Sequence, residues 1–185
     1  MKGVLSINTA NKLTMVRIFL VPIFLVLLYL NFEYSKYIAL AVFIIAALTD
    51  VADGIIARLH NQITDFGKFM DPLADKILTF AAMLWFVESH MMPAWLVLIV
   101  IVREFMVTGI RLVAAAKGRV IAATISGKIK TVVTICSIIA MFLIDMYFPD
   151  ELWMMMTCWV LIGVPTVVSG VEYLVKNKDI MKLDM

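Results

Sequence analysis

Residues 37–59 read Tyr37-Ile-Ala-Leu-Ala-Val-Phe-Ile-Ile-Ala-Ala-Leu-Thr49-Asp50-Val-Ala-Asp53-Gly54-Ile-Ile-Ala57-Arg58-Leu59. Every side chain from Ile38 to Leu48 is apolar, and nothing in that run alternates as a half-buried strand does. An α-helix needs about 20 such residues to cross a hydrocarbon core of about 30 Å. The stretch therefore reads as a membrane-crossing helix. Its second half carries two carboxylates and a guanidinium, groups that are costly in lipid unless they have work to do.

The rest of the chain repeats the pattern. Of 185 residues, 63% are hydrophobic and 16% charged, and the mean hydropathy is +1.00. A water-soluble domain is closer to half apolar, so lipid is the main solvent here. Apolar runs between polar breaks predict helices near 13–30, 37–59, 72–87, 93–117, 125–147 and 152–175. The expected fold is all-α: a six-span membrane protein, one domain over residues 1–185. Residues 1–12 form an interfacial segment and 176–185 a tail. Leu13 to Leu30 lacks the small-residue cleavage site of a signal peptide and is expected to stay in the chain. Cys136 and Cys158 sit in apolar runs without metal or redox spacing, and read as buried small hydrophobes.

Charge sets the orientation. The connections Asn31–Lys36, Glu88–Pro93 and Asp145–Glu151 contain one basic residue, Lys36. The other Lys and Arg residues, among them Lys2, Lys12, Arg58, Lys68, Lys76, Lys117, Arg119 and Lys176, fall on the opposite face or on helix ends feeding it. The positive-inside rule makes that face, and both termini, cytoplasmic. Trp85, Trp95, Trp153, Tyr29 and Tyr147 fall near the outer ends of spans, as an aromatic belt does.

After eight intervening residues, Arg58 is followed by Gly67-Lys-Phe-Met-Asp71-Pro-Leu-Ala-Asp75. Asp50 and Asp53 lie in the cytoplasmic part of the second helix, and Asp71 and Asp75 open the third from the same side. Spacings of three, four and seven residues put Asp50, Asp53, Gly54 and Ala57 on one stripe; Gly67, Asp71 and Asp75 stack likewise. Four carboxylates at one depth repel each other and cannot all ionise in a partly desolvated cavity without cations. Hard oxygen donors, with no His or Cys among them, favour Mg²⁺ or Mn²⁺, and four can hold two ions about 3.5–4 Å apart. Gly54 and Ala57 leave room for a ligand, and Arg58 offers a forked donor for phosphate. Phosphoryl-type transfer is the reaction class that follows. Taken singly, Asp65 or Asp71 reads as a helix cap before Pro72, Gly54 as helix packing and Arg58 as a snorkelling anchor. Those readings leave Asp50, Asp53 and Asp75 without an explanation.

Asp50 to Arg58 with Gly67 to Asp75 resembles the full signature of the CDP-alcohol phosphotransferase family, with every fixed position filled. The resemblance implies two divalent ions, Mg²⁺ or Mn²⁺, with Asp50 and Asp71 bridging them, Asp53 completing one site and Asp75 the other. It implies Asp75 as the general base that takes the acceptor's proton while CMP leaves. Asp53, Gly54, Ala57, Arg58, Thr64 and Gly67 would border the cytidine diphosphate of CDP-diacylglycerol, with Asn11 and Thr14 closing over it. For Asn11 and Thr14 a plain capping role is the alternative. A homodimer in the cell membrane, its site facing the cytoplasm, is also implied.

The signature does not name the acceptor alcohol. Arg103, Glu104 and Arg111 in the fourth helix, with Lys128 and Lys130 at the start of the fifth, form a cationic set suited to an acceptor bearing its own phosphate. Arg103-Glu104, Arg111 and Gly127-Lys128-Ile-Lys130-Thr131 resemble the bacterial phosphatidylglycerophosphate synthases of that family. The implied acceptor is glycerol 3-phosphate, its phosphate held by Arg103, Arg111, Lys128 and Lys130. Against this stand an Arg103–Glu104 ion pair, and topology or lipid-headgroup attraction for the lysines. Other family members, making phosphatidylinositol phosphate, phosphatidylserine or cardiolipin, are the nearest alternatives. A cation transporter is the alternative from another class, disfavoured because its acids would sit near the bilayer midplane. His60 and His90 have no partner at useful spacing and read as interfacial.

Overall fold

The computed structural model describes residues 9–30, 32–60, 65–119, 121–122 and 124–181, with side chains except those of residues 9–15, 17, 50–60, 65–75 and 180–181. Among the described residues every regular element is helical. In chain order they are α1 (Thr9–Tyr29), α2 (Ser35–His60), α3 (Asp65–Glu88), α4 (Ala94–Ala116), α5 (Ile125–Tyr147), α6 (Leu152–Lys176) and a short α7 (Lys178–Met181). All-α architecture and the six long helices agree with the sequence reading. Contacts group the chain into two units, Met1–Trp85 and Phe86–Met185.

Two helix starts differ from expectation. The third helix begins at Asp65, not near residue 72, so Pro72 falls inside it. Proline lacks an N–H and favours the first turn, which is why the sequence suggested a start there. Hydrophobic helices tolerate interior proline, because neighbouring groups re-satisfy the freed carbonyl; Pro22 in α1 and Pro165 in α6 are further cases. Similarly α1 begins at Thr9, four residues before the apolar run from which the sequence placed its start. The rest of the expected interfacial segment, 1–8, lies outside the described residues.

In the first unit α1 packs against α2. Phe24 and Phe43, both fully buried, meet with ring centroids 5.8 Å apart. Ala39, Leu40, Phe43 and Ala46 repeat at helical spacing and form the buried stripe of α2. On α3, Leu78, Ala81, Ala82 and Trp85 do the same.

In the second unit α6 packs against both α4 and α5. Cys158, Ile162, Thr166, Ser169, Gly170 and Tyr173 form its buried stripe, while Val160, Val164, Val168, Val171 and Val175 are exposed. Small residues let the helices approach closely. A Cβ added at Gly163 would lie 3.2 Å from Leu96 Cδ1, and one at Gly170 3.1 Å from Arg103 Cγ. Two turns stop helices firmly. After α4, Gly118 takes φ 69°, its N–H donating to Ala115 O while Arg119 N donates to Ala114 O. His90 takes the same left-handed role after α3 at φ 59°, where a non-glycine residue is uncommon.

Among the described residues, α5 and α6 are long and apolar enough to cross a membrane. Helix α4 has similar length but carries Arg103, Glu104 and Arg111. A row of exposed valines on a 25-residue helix suits lipid and not water. Cys158 is buried as expected, but Cys136 is exposed. An apolar run tells lipid-preferring from water-preferring residues; it does not tell the lipid-facing side of a helix from the packed one.

Candidate active site

The acidic signature falls on two long helices. Asp50, Asp53, Gly54, Ala57 and Arg58 occupy the last part of α2, and Gly67, Asp71 and Asp75 the first part of α3. Asn11 and Thr14 are in the opening turns of α1. The side chains of all these residues, and Thr64 altogether, lie outside the described residues. What the structure provides is the backbone that carries them.

That backbone fixes a register. Residues 61–64 join the end of α2 to the start of α3, so those ends are close. At the other ends, the Lys36 ammonium near the start of α2 lies 5.8 Å from the ring centroid of Trp85, near the end of α3, a cation–π contact. At 1.5 Å per residue, Asp53 is about 10 Å and Asp50 about 15 Å back from the end of α2; Asp71 is about 9 Å and Asp75 about 15 Å from the start of α3. Each acid pair thus lies about 9–15 Å along its own helix from the end next to residues 61–64.

The chemistry of this donor set, carboxylates only, fits a divalent metal. Among the described residues no group of three or more His, Cys, Asp or Glu gathers as a metal site would require.

The cationic set is described in full. Arg103 and Glu104 on α4 are each 8% exposed, and Lys130 on α5 is 5% exposed. One carboxylate oxygen, Glu104 Oε1, accepts from Arg103 Nη1 at 2.8 Å and from Lys130 Nζ at 2.5 Å. The expected Arg103–Glu104 pair forms, and Lys130 joins it. Arg103 Nε is buried with no hydrogen-bond partner among the described residues. The guanidinium is fitted between glycines of two helices: a Cβ at Gly127 would lie 3.4 Å from Arg103 Nη2, besides the close approach at Gly170. The start of α5 is set by Thr124, whose hydroxyl accepts from Gly127 N at 3.2 Å.

Arg111 and Lys128 stand apart from this cluster. Arg111 lies about 12 Å further along α4 than Arg103. Its Nε donates to the Tyr173 hydroxyl at 3.3 Å, and its guanidinium stacks 5.7 Å from that ring. Lys128, two residues from the buried Lys130, is exposed on another side of α5. Sequence reasoning missed Tyr173, 62 residues from Arg111, and gave no role to Thr124 or Gly127.

Residues 7–168 match the family model for CDP-alcohol phosphatidyltransferases. A protein of Bacillus subtilis named CDP-diacylglycerol–glycerol-3-phosphate 3-phosphatidyltransferase is 42% identical, over 95% of this chain and 97% of the relative. A probable phosphatidylglycerophosphate synthase of Mycobacterium tuberculosis is 34% identical, over 91% and 81%. A Salmonella paratyphi A protein with the same name as the Bacillus relative is 38% identical, over 69% and 72%. A family match across most of the chain, joined by a relative similar almost end to end, means that this chain belongs to the CDP-alcohol phosphatidyltransferase family.

Proposed function

We propose that the protein transfers the phosphatidyl group of CDP-diacylglycerol to sn-glycerol 3-phosphate, giving phosphatidylglycerophosphate and CMP. The observation that carries this reading is the family match over residues 7–168, which takes in Asp50 and Asp53 on α2 and Asp71 and Asp75 on α3. The names of the similar proteins support glycerol 3-phosphate as the acceptor. So does the buried cluster of two cations and one anion on α4 and α5.

In this reading Asp50, Asp53, Asp71 and Asp75 hold two divalent ions, Mg²⁺ or Mn²⁺. When bound, such ions neutralise charge on the diphosphate and on the departing CMP. Gly54, Ala57 and Gly67 keep the helix surfaces low enough for the nucleotide, and Asn11, Thr14, Asp53, Arg58 and Thr64 border it. Asp75 accepts the proton of the acceptor hydroxyl. The hydroxyl oxygen forms a bond to the phosphorus attached to diacylglycerol, and the bond from that phosphorus to the CMP oxygen breaks. Arg103 and Lys130 bind the acceptor's phosphate as charge-assisted donors. Arg111 and the exposed Lys128 add positive field that draws the dianion in.

The proposed setting is a bacterial-type inner membrane crossed six times, with both termini and the active site at the cytoplasmic face. One functional domain spans both contact units, as supported by a family match that runs across their boundary. A homodimer is part of the proposal. The deciding experiment is an acceptor panel. Purified protein with CDP-diacylglycerol and Mg²⁺ is expected to release CMP with glycerol 3-phosphate, and not with serine, inositol phosphate or phosphatidylglycerol. Release only with one of the last three overturns the acceptor; metal-dependent ion flux in vesicles without CMP from any acceptor overturns the reaction.

A further inference from the structure

Helices α4 and α6 pack against each other without closing along one side. Two cavities of about 560 and 340 Å³ lie end to end between them, with Ile99 and Val167 bordering both. Such volumes are those of small-ligand sites, about 300–1,000 Å³. Leu96 and Gly163 form the floor of the first cavity, Thr166 and Gly170 that of the second. Glycine gives the slot its depth, since a Cβ at Gly163 would lie 3.2 Å from Leu96 Cδ1. The rims, among them Trp95, Leu98, Val160, Val164 and Val171, are more than half exposed. Thr166 turns its hydroxyl back onto Ile162 O and Arg103 donates to Glu104, so the walls present hydrocarbon. Along α4 the groove runs from Trp95 to Met106, about 16 Å, or about half of a 30 Å hydrocarbon core.

The two ends of this groove differ in charge. Beyond Met106 and Leu174, the described residues of α4, α6 and α7 and the connections that follow α4 and α6 carry five cations, Arg111, Lys117, Arg119, Lys176 and Lys178, and one acid, Asp179. Lys176 pairs with Glu172. Helix α7 packs against α4, which gathers these charges at one end. At the opposite end, the connections before α4 and α6 carry Glu88, Asp150 and Glu151 and no Lys or Arg. A long apolar slot that leads to cations at one end only matches a molecule with a hydrocarbon chain and an anionic head.

We propose that the α4–α6 groove binds one anionic phospholipid, an acyl chain lying in the slot and the phosphate among the cations beyond Leu174. Lys178, exposed and four residues past Leu174, is the headgroup contact. An apolar slot excludes water, and an empty one forfeits dispersion contacts along its walls. A second copy of the chain suits it less well. A helix is about 10–12 Å across with its side chains, so it would rest on the rims and leave the floor bare. Copies related by a two-fold axis along the membrane normal would also bring the same cationic ends together. The lining comes from α4 and α6 alone, and none of it carries the acidic signature.

The experiment is native mass spectrometry of the purified full-length protein, delipidated in detergent and mixed with dioleoyl phosphatidylglycerol or dioleoyl phosphatidylcholine. A chelator is present throughout, so that a metal-dependent lipid site does not contribute. One phosphatidylglycerol per chain is expected, at concentrations where phosphatidylcholine occupancy is at least fivefold lower. Gly163→Leu, which fills the floor, is expected to cut phosphatidylglycerol occupancy at least fivefold, while helicity, and CMP release assayed with Mg²⁺, stay within twofold of the parent. Lys178→Gln is expected to bring phosphatidylglycerol down toward the phosphatidylcholine level. Equal occupancy by the two lipids in the parent, absence of a bound lipid, or unchanged occupancy in Gly163→Leu overturns the proposal. If Gly163→Leu changes the oligomeric state and leaves lipid occupancy as it was, the groove belongs to a second copy, which also overturns it. Unchanged preference in Lys178→Gln overturns the placement of the phosphate. Should Gly163→Leu not fold, Val167→Phe, which borders both cavities, is read by the same criteria.

Discussion

In the proposed mechanism Asp75 has a task the other three signature acids lack, that of base as well as metal ligand. Asp75→Asn keeps size and one oxygen donor but cannot take a proton at neutral pH. CMP release is expected to fall by at least about a hundredfold, with helicity and detergent-solubilised monodispersity unchanged; retained turnover removes Asp75 from the chemistry. Gly54 tests the nucleotide surface. Gly54→Leu would fill the space beside Asp53 and Ala57, so KM for CDP-diacylglycerol should rise while KM for glycerol 3-phosphate holds. At this scale the sequence was informative about identity and uninformative about partnership. The carboxylates stood out because charge inside an apolar helix has few explanations. The Arg103–Glu104 pair was legible as neighbours, and Lys130 as a cation on the same face. That all three meet at one oxygen was not, because no periodicity links residue 104 to residue 130. Likewise nothing in the chain announces that Arg111 stacks on Tyr173.

Helices carry these residues to their places, and their ends decide how accurately. Thr124, six residues before Lys130 enters its buried pairing, caps α5 through Gly127 N. Thr124→Ala is expected to lower stability by about 1 kcal/mol, read as a lower midpoint in thermal unfolding in detergent. An unchanged midpoint would mean the α5 start is held by other contacts. Four helices, α2, α4, α5 and α6, lie within two residues of the bounds inferred from apolar runs. Long apolar segments bounded by polar turns leave little freedom. The start of α3 was hidden because Pro72 looks like a first-turn residue, when the helix already begins at Asp65. The earlier start matters for function: it makes Asp71 and Asp75 part of a continuous helix whose axial register can be compared with that of α2. The facing of each helix was the other hidden quantity, as the exposed Cys136 illustrates. In lipid, both the packed and the outer side of a helix are apolar.

For the whole molecule, the proposal makes catalysis depend on acids from two helices acting as one ligand set. Treatment with a chelator should abolish CMP release, and added Mg²⁺ or Mn²⁺ should restore it. Activity that survives exhaustive chelation would contradict a metal role. The most direct measurement is equilibrium Mn²⁺ binding to the purified chain, counted by electron paramagnetic resonance. Two ions per chain are expected, with loss of binding on either Asp53→Asn in α2 or Asp71→Asn in α3. Binding that is absent in the parent, or that survives both substitutions unchanged, would contradict a shared site on these helices.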